Sequence, residues 1–387
     1  MRPVRAAILA ASLLATTALL IPSAQADNST TPAGSGYKLV FADEFNGSSV
    51  DTSTWNFRTD RKALSAQLPE NVTQEDGVLS LNLRKQQVDK FAYTGGGVVS
   101  KRSFRYGYYE TRAKLPHAPG WHTSFWMQRG DGSNTYNPER RTEIDQFEIE
   151  KPNDVSQGVI AWQPNGSQEW YGRKHTDPGF DNTAGWHTYG MDWNEQQVRF
   201  YIDGKLTNTV DYPTTATTHD YVNIWLTSIA YIAPVDESAL PAKAQFDYVR
   251  YYQRDAYVDN DTPANYGYRE SGTWQDSSLT GFTDENKTRY STAPGASVTW
   301  KPNLPNPGNY DVYVYKVARP ENDPGATLTV THDGQTSKVP VDYTTGQSGW
   351  VKLGNYRFSR TDSGSVTLDR SSGIARADAV KFIRTDG

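Results

Sequence analysis

Cysteine is absent from the 387 residues. That excludes disulfides, a thiolate zinc site and a thiol nucleophile. Basic residues are in deficit: Lys plus Arg number 39 against 44 Asp plus Glu, a formal charge of −5. Proteins that grip nucleic-acid phosphates need basic patches, so no nucleic-acid partner is expected. The same deficit weakly disfavours highly sulfated glycans, which would want basic subsites. There is no G-x-S-x-G elbow, which argues against lipase-type serine hydrolases. The 6 histidines form no H-E-x-x-H pair. Gly95-Gly96-Gly97 lacks a following Lys-Ser/Thr, so it reads as a turn between strands rather than a phosphate loop. Apolar residues make up only 36%, yet aromatics reach 12%, too many for a disordered chain.

Long apolar runs are also missing, with one exception at the N-terminus. Arg2 and Arg5 precede an uncharged run over residues 6–21, and Ala24-Gln25-Ala26 fits a small-x-small cleavage site. Residues 1–26 therefore read as a secretory signal peptide, the run being too short for the roughly 20 residues of a membrane span. The mature protein is expected to be secreted, extracellular, free of membrane after cleavage, and monomeric. Residues 27–36, rich in Ser, Thr, Pro and Gly, read as a flexible leader.

What remains reads as all-β. Leu79, Leu81 and Leu83 alternate with polar neighbours, as do Val198, Phe200 and Ile202, and Leu328 and Val330. This is the period-2 pattern of half-buried strands. Asp76-Gly77, Asp203-Gly204 and Asp333-Gly334 suit tight hairpin turns, since both residues accept positive φ. Many short strands with frequent turns suggest antiparallel sandwiches. A polar stretch near 254–261 divides a first unit from a second, smaller one.

The chemistry concentrates in Glu143-Ile144-Asp145-Gln146-Phe147-Glu148. Glu143 and Asp145 share a strand face, but Glu148 falls out of phase. One extra residue, a β-bulge near Gln146 or Phe147, would bring all three carboxylates to one face with Ile144 on the other. Mutual repulsion and partial burial would then raise at least one pKa. An acid kept protonated beside an ionised carboxylate is the pair needed to cleave a glycosidic bond with retention. The same spacing also fits a solvated acidic edge, compensated by Arg140 and Arg141. Just upstream, Trp121 and Trp126 are five apart, so a strand splits them between core and cleft. Flat aromatic faces suit the apolar C–H faces of sugars. Trp162, Trp170, His122 and His175 complete the candidate substrate-binding set.

At these residues the chain resembles glycoside hydrolase family 16, the laminarinase, lichenase and agarase group. The hexamer matches that family's bulged E-x-D-x-x-E motif. Four further blocks agree in order: Phe41-Ala42-Asp43-Glu44-Phe45-Asn46, Gly107-Tyr108-Tyr109-Glu110, Trp186-His187-Thr188-Tyr189-Gly190-Met191-Asp192-Trp193, and Phe246-Asp247-Tyr248-Val249-Arg250. The resemblance covers residues 37–254. It implies a concanavalin A-like β-jelly-roll sandwich with a cleft on its concave face. It also implies Glu143 as nucleophile, Glu148 as general acid/base, and Asp145 holding Glu143 between them. The block Trp121-His122-Thr123-Ser124-Phe125-Trp126 departs from the Trp-Pro-Ala-x-Trp type of laminarinases, so both β-glucans and β-galactans stay open as polysaccharide substrates. Residues 257–387 resemble a golvesin or xanthan-lyase C-terminal β-sandwich, through Ser271-Gly272-Thr273-Trp274 and Ala377-Asp378-Ala379-Val380. Carbohydrate binding is the natural expectation there, with Trp274, Trp300 and Trp350 as ligand candidates. No cofactor is expected. Asp- and Asn-rich loops leave room for a structural calcium, but no spacing identifies a site. The competing functions are a non-catalytic carbohydrate-binding protein, which would not need all three carboxylates, and a transglycosylase using the same covalent intermediate.

Overall fold

The computed structural model describes residues 29–133, 142–211, 219–262, 267–283, 287–359 and 364–386. Residues 1–26, expected to form a signal peptide, and the pair Arg140 and Arg141 lie outside the described residues. Regular structure among the described residues is strand, apart from two single-turn 3-10 segments at Pro69–Asn71 and Glu237–Ala239. Leu79, Leu81, Leu83, Val198, Phe200, Leu328 and Val330 are all fully buried, as their alternation requires. Each Asp-Gly pair closes a two-residue hairpin, joining Glu75 to Val78, Ile202 to Lys205 and His332 to Gln335. Both residues of every pair take positive φ, the turn geometry that matches the strands' right-handed twist.

The first domain is a sandwich of two antiparallel layers. One layer runs Trp55–Phe57, Phe91–Ser100, Asn223–Ala230, Trp121–Gln128, Thr142–Lys151, Asp154–Trp162 and Gln168–Thr176. The other runs Val72–Glu75, Val78–Val88, Ala242–Gln253, Gly107–Lys114, His187–Trp193, Gln197–Ile202 and Lys205–Asp211. Gly34–Asp43 pairs with the second half of Ala242–Gln253. Phe125, Met127, Ile144 and Phe147 from the first layer meet Tyr189, Met191, Phe200 and Phe246 from the second in one core. This is the jelly roll, and the outer face of the first layer is free to carry a cleft.

Two local readings change. Ser29–Thr31 is a strand paired with the start of Gly34–Asp43, so residues 29–36 are not a loose leader. Composition misled there because the order comes from hydrogen bonds rather than apolar burial: Thr31 Oγ1 bonds the Gly34 carbonyl at 3.3 Å, and the Gly36 carbonyl accepts from Arg384 at 3.4 Å. Gly95-Gly96-Gly97 lies inside the strand Phe91–Ser100, not in a turn. A Cβ on Gly95 would strike the Ser228 carbonyl, and one on Gly97 the Leu226 carbonyl. These glycines permit close approach of Asn223–Ala230.

The second domain holds sheets of four, five and three strands around Trp300, Tyr310, Phe358 and Phe382. It docks on the first through a buried ion pair, Lys381 Nζ to Glu195 Oε2 at 2.6 Å. Trp350 donates to the other oxygen of Glu195, also at 2.6 Å. The rings of Tyr257, Phe282, Tyr315 and Trp350 pack together beside this pair. Trp274 and Trp300 are buried, their indole N–H groups bonded to backbone carbonyls. The three tryptophans considered as ligand platforms are thus taken up by core and junction.

Candidate active site

The site forms where the acidic strand Thr142–Lys151 slips register. Phe125 pairs with Phe147 and Trp126 with Asp145, leaving Gln146 as the extra residue. The neighbour on the other side records the same slip: Asp145 pairs with Gly158 and Glu148 with Ser156. Gln146 turns inward, and its amide bonds the carbonyls of Gly190 and Tyr201 in the opposite layer, each at 3.1 Å. That inward anchor puts Ile144, Gln146, Phe147 and Ile149 toward the core, with Glu143, Asp145, Glu148 and Glu150 on the outer face.

The outer face opens into a cleft of about 290 Å³. Glu143 and Glu148 line it, with Trp126, Trp162, Trp170 and Trp225 around them. Asp145 lies beneath, 2% exposed. Trp162 Nε1 donates to Glu143 Oε2 at 2.7 Å, and the Gln128 amide donates to the same oxygen. Asp145 Oδ2 has no hydrogen-bond partner. Burial foremost, then the charges of Glu148 and Glu143, push the Asp145 carboxyl well above the usual range. Glu148 goes the other way. Burial works to raise it, but the hydrogen bond and charge of His122, with Arg173 and Ser156, hold it below its ordinary value. His122 Nε2 lies 3.3 Å from Glu148 Oε1, and Nδ1 lies 3.0 Å from Glu150 Oε1. Burial alone would lower His122, but these two carboxylates push it up to about 9.

The sequence-derived binding residues divide. His122, Trp126, Trp162 and Trp170 line the cleft. Trp121 does not: it is 2% exposed and packs with Leu83, Ala118 and Ala230, because its odd position on Trp121–Gln128 points inward. His175 does not line the cleft either; it sits further along the outermost strand, exposed and bonded to Asp154 at 3.0 Å. Sequence reasoning missed Gln128, Arg173, Trp225 and Tyr231. Trp225 stacks on Trp126 at 4.7 Å between centroids. The alternation Asn223, Trp225, Thr227, Ile229 carried a signal for it, since these face out while Ile224 and Leu226 face the core. Among the described residues, no three His, Asp or Glu side chains converge as metal ligands.

Residues 59–250 match the model of glycosyl hydrolases family 16. The chain carries a family 16 glycosyl hydrolase domain. Residues 256–384 match the golvesin C-terminal domain. A beta-glucanase of Acetivibrio thermocellus is 28% identical over 267 residues, covering 66% of this chain and 74% of the relative. A xanthan lyase of Bacillus sp. (strain GL1) is 34% identical over 136 residues, 33% of this chain and 14% of that enzyme. The crystal structure of a non-specific endo-beta-1,3(4)-glucanase from the same family is 26% identical, with a TM-score of 0.49 over 57% of this chain and 92% of that one. The protein is a glycoside hydrolase, and its family 16 domain is the jelly roll that bears the cleft.

Proposed function

We propose that this glycoside hydrolase cuts β-linked polysaccharide within its chains and retains configuration, through a covalent glycosyl-enzyme intermediate on Glu143. The observation that carries the reading is the bulge at Gln146, which turns Glu148 to the face of Glu143 and Asp145. In the first step a Glu143 oxygen attacks the anomeric carbon while the Glu148 carboxyl protonates the departing glycosidic oxygen. In the second, Glu148 takes a proton from water, which displaces Glu143. The Trp162 and Gln128 donors steer Glu143. Asp145, its carboxyl pushed up by burial and by the charges of Glu148 and Glu143, lies beneath the pair on the same face. The four tryptophans suit sugar faces. β-Glucans and β-galactans are the favoured substrates. Highly anionic glycans are less so, since Arg58 beside Trp126 and Trp225 is engaged by Asp60 at 2.7 Å and 2.9 Å. The N-terminal segment supports export to the cell exterior, which N-terminal sequencing of protein from culture medium would check.

The test is a polysaccharide panel (laminarin, lichenan, agarose, porphyran and carrageenan) read by new reducing ends. The wild type is expected to cut at least one, and Glu143→Gln to lose on the order of 10⁴-fold or more. A Glu143→Gln protein with wild-type turnover would remove Glu143 from the chemistry.

A further inference from the structure

The two ring nitrogens of His122 face one carboxylate each, Glu148 at 3.3 Å and Glu150 at 3.0 Å. Ionised carboxylates only accept, so both nitrogens must donate, and the resting ring is an imidazolium. The ring is 8% exposed and lies 4.9 Å from the Tyr231 ring, which covers it from the adjoining strand's end. Tyr231 is thus the titratable side chain over the ring face. Arg173 at 3.5 Å and Ser156 at 3.5 Å reach the far oxygen of Glu148, and Asp145 lies beneath. The acid that must protonate the leaving group is therefore held as a carboxylate, with a full proton parked on its neighbour.

We propose that His122 is the positioning residue that stores the proton Glu148 delivers, with Glu150 keeping the ring charged and aimed. This rests on the retaining reading above. During bond cleavage the His122 Nε2–H bond breaks and a Glu148 Oε1–H bond forms. That proton passes to the glycosidic oxygen as its bond to the anomeric carbon breaks and Glu143 bonds that carbon. His122 is left neutral, still donating from Nδ1 to Glu150. In the second step Glu148 takes a proton from the attacking water and returns it to Nε2, so the cycle consumes one water and leaves both groups as they began.

The experiment compares wild type, His122→Gln and Glu150→Gln on the polysaccharide cut in the panel and on the 2,4-dinitrophenyl glycoside of its disaccharide product. It reads kcat/KM from acid to alkaline pH and the anomer formed first. His122→Gln is expected to lose on the order of 100-fold on polysaccharide and less than about 3-fold on the dinitrophenyl glycoside, whose leaving group needs no acid. Its alkaline limb should move to lower pH from the region of about 9 set by the wild-type imidazole. Glu150→Gln, which leaves the ring and its packing intact, should move the limb the same way by less. Equal losses on both substrates, or a limb that stays in place in Glu150→Gln, would overturn the relay. An inverted first product would overturn the retaining reading instead, whatever the limb does.

Discussion

In the first domain Trp126, Trp162, Trp170 and Trp225 turn toward the cleft, whereas in the second Trp274 and Trp300 are buried and Trp350 points into the first domain. The indole N–H partners follow the difference only in part, since Trp225 in the cleft also bonds a backbone carbonyl, that of Gln128. Trp274 and Trp300 bond backbone carbonyls of their own domain. Trp162 and Trp126 bond the side chains of Glu143 and Thr227, which fixes each ring by its edge. The exposed large apolar side chains among the described residues, Trp170 and Tyr231 included, all belong to the first domain. Two carboxylates illustrate the contrast. At the junction Glu195 has both oxygens engaged, by Trp350 and Lys381. In the cleft Asp145 keeps an oxygen without a partner. The division is not by satisfaction alone, since Asp378 near the junction also has a buried oxygen without a partner, and Glu148 in the cleft has both oxygens engaged.

The largest effect that would break this comparison comes from Trp300. Trp300→Ala should cost about 3–5 kcal/mol in chemical denaturation, as a large core truncation does, while leaving KM unchanged. A raised KM with unchanged stability would make it a ligand platform after all. Lys381→Ala strands a buried Glu195 charge and should cost about 3–5 kcal/mol. The control Lys352→Ala removes the exposed pair with Asp311, whose lysine is half exposed, and should leave stability nearly unchanged. Equal losses would mean that the junction is no tighter than the surface. Trp170→Ala removes an exposed ring. It should raise KM roughly 3–10-fold, corresponding to about 0.5–1.5 kcal/mol of stacking, with no change in thermal midpoint.

Near the junction a smaller, pH-dependent term follows from Asp378. Burial first, with the Asp261 charge adding, pushes its carboxyl from 3.8 up to about 7 against the opposing Phe282 N–H. Asp255, buried near Arg384, is pushed up to about 6. Between the unfolded and folded values the folded protein holds protons the unfolded chain has released. Their contribution is therefore full below about pH 4 and is lost as pH rises through about 6 and 7. Asp378→Asn should flatten that slope in a series of denaturation midpoints, and an unchanged slope would exclude Asp378 as its source.

Much of this was legible in the sequence because strand chemistry has a period of two. The spacing of Glu143, Asp145 and Glu148 called for one extra residue, and Gln146 is that residue. The five-residue spacing of Trp121 and Trp126 called for opposite faces, and the strand supplies them. Partners brought from distant strands were not legible. Trp225 reaches Trp126, and Arg173 reaches Glu148, only because the layer places Asn223–Ala230 and Gln168–Thr176 there. The junction was equally hidden: nothing local to Glu195 announces Lys381, 186 positions on.

We propose that the bulged acidic strand cleaves with retention. This is tested most directly by proton NMR of the anomer formed first when the wild-type protein cuts its β-linked polysaccharide. Retention gives the β anomer first, appearing before mutarotation. The α anomer as first product would contradict it, and would require a carboxylate separation wider than the about 5–5.5 Å of retaining pairs.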